Sequence, residues 1–236
     1  MMKKTSTFIK SILVLSLVLG LSACSKSSGP PPAPGVPLLT FPQESSECTT
    51  GIDQGVNNSQ VTFQWQPADN ATTYTLRIQN LNTFQNLGAI ITDQTSAAVV
   101  LKKGVPYTWN VTASSTESEE TATSSSWSFY NAGAQTTYAP FPASLDSPVS
   151  GATVIANASG QVNLDWSSNG DVDGDLLTYE IRLSTSNPPD VLTTQSASFS
   201  DLDADVTSGN TYFWQVISID QAGNRAESQI KGFRVQ

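Results

Sequence analysis

Several short segments of the chain alternate apolar and polar residues with a period of two. In the first half, Val61, Phe63 and Trp65 alternate with Thr62 and Gln64. Successive side chains of a strand point to opposite faces, so this pattern predicts half-buried strands of antiparallel sheets. Two further segments share the pattern, with apolar positions at Tyr74, Leu76 and Ile78 and at Tyr107, Trp109 and Val111. We therefore expect an all-β fold.

The same three segments recur in the second half of the chain. Their apolar positions are Val162, Leu164 and Trp166, then Tyr179, Ile181 and Leu183, then Tyr212, Trp214 and Val216. The offset between the copies is 101 residues at the first segment and 105 at the other two, so the second copy has four extra residues after its first segment. A repeat of about 100 residues is the size of an immunoglobulin-like sandwich. The sequence therefore predicts two tandem β-sandwiches.

Aromatic positions in both copies resemble those of fibronectin type III domains. That family has a Trp on its second strand, a Tyr that opens its third, and a Leu-x-x-Gly-x-x-Tyr corner before its sixth. These features are matched by Trp65 and Trp166, by Tyr74 and Tyr179, and by the segments 101–107 and 206–212, the last with Val in place of Leu. The resemblance implies fibronectin type III-like domains at 38–132 and 139–236. It implies no particular function, because this fold hosts many unrelated ones.

The start of the chain has the parts of a secretory signal peptide, namely lysines, a short apolar run and small residues. The apolar run at 12–21 is too short to span a bilayer, which needs about 20 residues. The tetrad Leu21-Ser22-Ala23-Cys24 resembles the lipobox of bacterial lipoproteins. This resemblance implies removal of a signal peptide at 1–23, acylation of Cys24 and attachment to a membrane through lipid.

The segment that follows is rich in Pro and Ser. Residues 24–37 are therefore expected to be a lipidated linker, extended where it is polyproline-like. Ser25 after the cysteine resembles lipoproteins that are sent to the outer membrane. We expect an outer-membrane lipoprotein that faces either the periplasm or the cell surface, and both orientations stay open.

Composition excludes several classes of function. Removing the three lysines of the signal peptide leaves 8 Lys+Arg against 20 Asp+Glu, a net charge of −12 that disfavours nucleic acid as a partner. The chain has no His, so Ser-His-Asp and Cys-His catalytic sites are impossible. Phosphate-binding glycine loops and the G-x-S-x-G pattern are absent as well. We expect a protein that is not an enzyme.

The four-residue insertion is the first candidate site. Asp171, Asp173 and Asp175 occupy alternate positions between glycines, and three carboxylates could together hold a hard cation such as Ca²⁺. Strand order places this loop, with Asp220 and Asn224 of the loop after the sixth strand, at the junction of the two domains. The alternative is a polar turn without metal. No other cofactor is expected.

The second candidate is a surface on the strand that begins at Tyr212. Alternation puts Phe213, Ile217 and Ile219 on the face opposite to the core, where the first copy has polar residues. Exposed apolar patches often bind partners, so these three residues are a candidate partner-binding stripe. The alternative is that neighbouring side chains cover them.

Cys48 is the one cysteine left if Cys24 carries lipid. It has no partner for a disulfide within the chain. The two interpretations are a reactive or cross-linking thiol and a small side chain in a loop before the first strand.

These observations favour a non-enzymatic interaction module, anchored in the bacterial cell envelope, whose partner is an envelope protein or a glycan. Two alternatives stay open, a polysaccharide-binding lipoprotein accessory to glycan uptake and a structural spacer.

Overall fold

Strands make up the regular structure of the residues that the structure describes. The computed structural model describes residues 29–134 and 137–236, and the predicted signal peptide and Cys24 lie outside these residues. The strands are β1 Leu39–Phe41, β2 Ser46–Cys48, β3 Ile52–Asp53, β4 Asn58–Trp65, β5 Thr73–Asn80, β6 Asn86–Thr92, β7 Ser96–Lys102, β8 Val105–Ser114, β9 Thr121–Thr123, β10 Trp127–Asn131, β11 Ser144–Ser147, β12 Thr153–Val154, β13 Gln161–Ser167, β14 Leu176–Ser184, β15 Val191–Ser196, β16 Asp201–Asp205, β17 Thr211–Asp220, β18 Arg225–Glu227 and β19 Lys231–Val235. Within the described part of the chain, no helix is long and apolar enough to cross a membrane. The predicted all-β fold is confirmed.

The first ten strands form a sandwich of two sheets. In one sheet, β4 pairs antiparallel with β1, β3 and β7. The other sheet has the order β2-β10-β8-β5-β6, with β9 added to β8. Its β2–β10 pair is parallel, and its other pairs are antiparallel.

The remaining strands repeat this arrangement. One sheet has the order β11-β13-β16, and the other has the order β12-β19-β17-β14-β15 with β18 added to β17. The pair β12–β19 is again parallel. Apart from the short strand β3, which the first sandwich has in addition, the two described sandwiches share one topology, as the repeat predicted.

Each sandwich encloses its own apolar core. Trp65 and Trp166 are 3% and 1% exposed, and each contacts the Tyr that opens the next strand, with ring centroids 5.7 Å apart in both copies. Full burial of a large apolar side chain stabilises a fold by roughly 2–3 kcal/mol. The predicted inward positions are thus the ones that hold the sheets together.

A tyrosine corner closes the turn before β8 in the first copy and before β17 in the second. The Tyr107 hydroxyl accepts a hydrogen bond from the Lys102 N–H at 3.0 Å, and the Tyr212 hydroxyl accepts one from the Thr207 N–H at 3.0 Å. The glycine in each turn has a positive φ, 67° at Gly104 and 87° at Gly209, a conformation that glycine adopts without strain. Both predicted corners are confirmed.

The end of the Pro-rich segment contacts the first sandwich. Pro34 and Pro37 are buried, and the Gly35 N–H donates to the Asp69 carbonyl at 2.8 Å. The Asn70 side chain also donates to the Ala33 carbonyl, at 3.2 Å. The sequence predicts an extended spacer here, but the last residues of this stretch dock on the loop between β4 and β5, because that loop supplies a carbonyl acceptor and a side-chain amide donor.

Candidate functional site

The two sandwiches meet at a buried aromatic cluster, which we call the junction cluster. It consists of Leu81 and Tyr130 from the first sandwich and Tyr138 and Phe141 from the segment that joins the two, all at most 8% exposed. Val172, in the β13–β14 loop of the second sandwich, packs against it. The Tyr130 ring lies 4.9 Å from that of Tyr138 and 5.3 Å from that of Phe141, measured between centroids. The joining segment is thus part of an apolar interior.

Hydrogen bonds surround the junction cluster on the side of the β13–β14 loop. The Ser45 hydroxyl of the first sandwich donates to the Asn169 carbonyl of the second at 3.1 Å. Within the second sandwich, the Phe141 N–H donates to the Gly170 carbonyl at 3.0 Å, and the Asn169 side chain donates to the Pro142 carbonyl at 2.6 Å. The β13–β14 loop therefore binds both the joining segment and the first sandwich.

Two tyrosine hydroxyls complete these contacts. The Tyr130 hydroxyl donates to the Ala139 carbonyl at 3.0 Å, and the Tyr138 hydroxyl donates to the Glu47 carboxylate. Burial raises the pKa of both phenols, and nearby carboxylates raise it further, Glu47 at Tyr138 and Asp171 at Tyr130. Both phenols therefore stay protonated and act as hydrogen-bond donors.

Next to the junction cluster lies a group of three carboxylates, Asp171, Asp175 and Asp220, which we call the acidic triad. One carboxylate oxygen from each residue lies within 4.8 Å of the others. The register between β14 and β17 brings these carboxylates together, because Leu176 at the start of β14 pairs with Asp220 at the end of β17. Gly170 has a φ of 83°, and a Cβ there would lie 2.7 Å from Ser45 Oγ, so a larger residue would strain the backbone and displace the Ser45 hydroxyl.

The triad is largely shielded from water. Asp220 is 2% exposed and accepts hydrogen bonds from the Asn224 backbone and side-chain nitrogens, both at 2.7 Å. Asp171 Oδ2 and Asp175 Oδ1 are buried atoms that accept no hydrogen bond. Burial raises the pKa of Asp171 to about 6, with a further contribution from the Asp175 carboxylate, although the Asp173 N–H opposes the shift. Two like charges in a desolvated site disfavour ionisation.

Asp173 does not join the other two predicted cation ligands. It is exposed, and its Oδ2 accepts a hydrogen bond from the Tyr138 N–H at 2.8 Å. Asp220 takes the third place instead. Sequence reasoning had put Asp220 at the same end of the domain, but which carboxylates converge depends on the register between β14 and β17.

The predicted exposed stripe is wrong. Ile217 is fully buried, and Phe213 and Ile219 are half-buried. β14 and β18 pair with opposite edges of β17, so the ion pair between Glu180 and Arg225, at 2.9 Å, has to pass over the outer face of β17. This bridge covers Ile217.

The Phe213 ring is held on the neighbouring strand. A Cβ on Gly232, its partner across β17 and β19, would lie 3.1 Å from the ring, so the ring covers the glycine backbone. The exposed large apolar side chains of the second sandwich lie elsewhere, at Leu177, Val191, Leu192 and Phe199 among others.

Cys48 is a core residue of the first sandwich. It ends β2, it is 2% exposed, and it packs among the buried residues of the core. Burial raises the pKa of its thiol. The expectation of a loop position is wrong, because this segment pairs in parallel with β10.

Sequence reasoning missed Tyr138 and Phe141, the centre of the junction. The available signal was the run Tyr138-Ala139-Pro140-Phe141-Pro142, which places two large aromatic residues in the Pro-rich segment between the domains, one of them flanked by prolines on both sides. Large aromatic side chains are stabilised by burial, and here residues of both sandwiches pack around these two rings.

No family model matches the chain, and no curated protein matches it significantly. Solved structures that resemble it include the fibronectin(III)-like modules of CbhA from Clostridium thermocellum, 12% identical with a TM-score of 0.32, and a segment of two fibronectin type III domains from chicken tenascin, 15% identical with a TM-score of 0.26. The first match covers 84% of this chain and 92% of that chain, and the second covers 84% and 96%. Each half of the chain is a fibronectin type III-like sandwich. Strand order and the tyrosine corner of each copy carry that assignment.

Proposed function

We propose that the chain is a non-enzymatic lipoprotein of the bacterial cell envelope, whose two sandwiches act as one stiff interaction module. The observation that carries this proposal is the junction cluster. Both sandwiches belong to a single compact unit, Pro32–Gln236, and the segment that joins them is buried. A module of this kind keeps its binding surfaces in a fixed relation, which lowers the entropy cost of engaging a partner with both domains.

Stiffness follows from what bending would expose. Phe141 is 1% exposed, and the rings of Tyr130 and Tyr138 pack on it and on each other. Separating the sandwiches would return these rings to water, at a cost of roughly 2 kcal/mol for each ring. The clasp from Ser45 to the Asn169 carbonyl would break as well. The packed arrangement is therefore strongly favoured over a freely hinged one.

An envelope protein is the preferred partner. A glycan-binding face usually presents exposed aromatic rings. Four of the five Trp side chains are at most 3% exposed, and the fifth, Trp127, is half-buried against the first core. A polysaccharide partner and a purely structural spacer remain the alternatives that experiment has to separate.

Membrane anchoring is tested by substitution of the predicted lipid-bearing cysteine. In a bacterial host that processes lipoproteins, the wild-type chain should fractionate with membranes, and Cys24→Ser should move it to the soluble fraction. A wild-type chain that is recovered in the soluble fraction, or a C24S variant that stays with membranes, would refute the anchor.

Stiffness is tested by distance measurement. Spin labels are placed at Val56→Cys in the first sandwich and Ile155→Cys in the second, residues that are 92% and 79% exposed, in a C24S, C48A background. A narrow distance distribution is expected, and a broad one would refute the stiff module.

The partner class is tested by cross-linking in intact cells followed by membrane solubilisation. A stoichiometric protein partner supports the proposal. Retardation in a polysaccharide gel without any protein partner would favour the glycan alternative.

A further inference from the structure

We propose that the acidic triad, Asp171, Asp175 and Asp220, is a Ca²⁺-binding site, and that Ca²⁺ bound there stabilises the junction of the two sandwiches. This goes beyond the proposed function and does not depend on the lipid anchor. It also differs from the sequence-based hypothesis, because Asp220 replaces Asp173 among the ligands.

The geometry of the triad suits one Ca²⁺ ion. Its three carboxylate oxygens lie within 4.8 Å of one another. Oxygen ligands stand about 2.3–2.6 Å from Ca²⁺, so two oxygens on opposite sides of one ion are separated by about 5 Å. A single ion can therefore contact all three carboxylates. The remaining positions of its coordination shell would be filled by water or backbone carbonyls, which Ca²⁺ accepts in variable geometry.

The burial of two oxygens of the triad is a second observation that indicates a ligand, independent of the number of acidic residues in the loop. Asp171 Oδ2 and Asp175 Oδ1 have almost no solvent-accessible area and accept no hydrogen bond. A desolvated carboxylate oxygen without a donor is unfavourable unless a cation or a proton compensates it. The ion pairs among the described residues involve Asp53 and Glu180, so no Lys or Arg supplies this compensation.

The chemistry of the donors selects the cation. Three carboxylates are hard oxygen ligands, which suit Ca²⁺ and Mg²⁺, while the absence of His from the chain disfavours Zn²⁺. Mg²⁺ demands a near-ideal octahedron and keeps most of its water. Ligands that come from an irregular loop and from a strand end match the tolerant geometry of Ca²⁺ better, so Ca²⁺ is the ion we assign.

The loop that carries Asp171 and Asp175 is linked to the junction cluster by hydrogen bonds. Asp173 lies between Asp171 and Asp175 in the loop, and its Oδ2 accepts the hydrogen bond of the Tyr138 N–H at 2.8 Å. The Gly170 carbonyl, one residue before Asp171, accepts the Phe141 N–H at 3.0 Å. An ion that fixes Asp171 and Asp175 on Asp220 therefore fixes the loop that holds the joining segment. By linkage, any ligand that binds only this packed state raises its stability.

The test uses the mature chain as a soluble C24S variant, freed of metal with a chelator. Calorimetric titration with CaCl₂ should show one ion per chain, with a dissociation constant of about 10⁻⁴ to 10⁻³ M, typical of extracellular modules. At ten times this concentration the melting temperature should rise by about 3–5 °C. Asp171→Asn with Asp175→Asn should weaken binding at least tenfold and abolish the rise.

A matched control carries the same chemical change in an acidic surface that lacks the buried oxygens. Asp201→Asn with Asp203→Asn, on the exposed face of β16, removes the same charge and should leave the Ca²⁺ titration unchanged. Loss of binding in this control, or no heat and no melting shift of the wild-type chain at millimolar Ca²⁺, would overturn the proposal. Equal binding of MgCl₂ would overturn the assignment to Ca²⁺.

The Asp171→Asn, Asp175→Asn variant is expected to fold, because it removes like charges from a desolvated site. Its melting temperature in chelator should equal or exceed that of the wild type. This measurement separates a lost site from a lost fold. The fractionation of wild-type chain and C24S variant reports on anchoring alone, so the two proposals can fail independently.

Discussion

Truncation of Phe141 should uncouple the two sandwiches. Phe141 is 1% exposed and belongs to a cluster whose other buried members, Leu81, Tyr130 and Tyr138, are 8%, 5% and 6% exposed. Phe→Ala changes in well-packed interiors cost about 3–5 kcal/mol. The junction cluster is smaller than a domain core, so its walls can partly close over the cavity. We expect a loss at the lower end, about 3 kcal/mol.

The position of this loss makes it specific. Phe141 contacts the ring of Tyr130 from the first sandwich, and its N–H binds the Gly170 carbonyl of the second. Neither sandwich core contains it. Phe141→Ala should therefore remove the coupling between two domains that both still fold. For a unit of this size, 1 kcal/mol corresponds to about 2–4 °C in melting temperature, so we expect a decrease of about 6–12 °C.

Differential scanning calorimetry of the C24S chain is the assay. The wild type should unfold in one cooperative transition, and Phe141→Ala should unfold earlier and in two resolvable steps. Phe199→Ala is the matched control, because Phe199 lies in the second sandwich but is 55% exposed, and its melting temperature should change by less than about 2 °C. If Phe141→Ala melts with the wild type in a single transition, the joining segment does not couple the domains.

Three further predictions concern single side chains. Tyr107→Phe and Tyr212→Phe each remove the acceptor for one backbone N–H. In urea titrations each should lower the free energy of unfolding by about 1 kcal/mol, and the loss should be larger at the buried Tyr107 than at Tyr212. An unchanged free energy of unfolding in both variants would contradict the role of the corner. The Cys48 thiol is buried, and burial raises its pKa. It should therefore react with a thiol reagent only after denaturation, and rapid labelling of the native chain would show that water reaches the first core. Burial alone would raise the pKa of Glu180, but hydrogen bonds and charge from Arg225 and Arg182 outweigh it and hold the pKa below its usual value. A lowered carboxyl pKa adds stability above the unfolded-state value and loses it as pH falls through the folded-state value. Glu180→Gln should therefore cost about 1 kcal/mol at pH 7, and the difference from wild type should vanish in acid, well below pH 4.5; a difference that persists there would disprove the ion pair as its source.

Periodicity was sufficient for the cores because burial in a sandwich repeats along single strands. Phe63, Leu76 and Trp109 are at most 1% exposed, and each could be placed from its own neighbours in the chain. The tyrosine corners were equally local, because Tyr107 bonds a backbone N–H only five residues away. Neither feature requires knowledge of which strands pair.

The candidate sites depended on pairing, and there the sequence was insufficient. Alternation correctly placed Ile217 on the face opposite to the core, but its burial follows from an ion pair between β14 and β18, which flank β17. The acidic triad likewise depends on the register between Leu176 and Asp220. A period of two reports which face a residue occupies, and it carries no information on what lies over that face.

In both copies, the segment that precedes the first strand docks on its own sandwich through one backbone hydrogen bond. The residue that makes this bond differs between the copies, and the difference explains how the junction is built. In each copy, the backbone N–H of a residue that precedes the first strand donates to a carbonyl in the loop that follows the Trp-bearing strand. Gly35 donates to the Asp69 carbonyl in the β4–β5 loop, and Phe141 donates to the Gly170 carbonyl in the β13–β14 loop. Leu39 and Leu145 pair with Trp65 and Trp166, so Gly35 and Phe141 both stand four residues before equivalent positions.

This docking of the incoming segment is therefore a property of the sandwich itself and needs no neighbouring domain. What the second copy adds is the side chain. At Gly35, a Cβ would already lie 3.2 Å from the Asp69 nitrogen, whereas Phe141 carries a ring that reaches Tyr130 of the preceding sandwich. The same backbone contact thus serves as a simple start of the domain in the first copy and as a joint in the second. Two residues of the acidic triad, Asp171 and Asp175, lie in the β13–β14 loop, which forms this contact in the second copy. A cation held by the triad would therefore act on the joint.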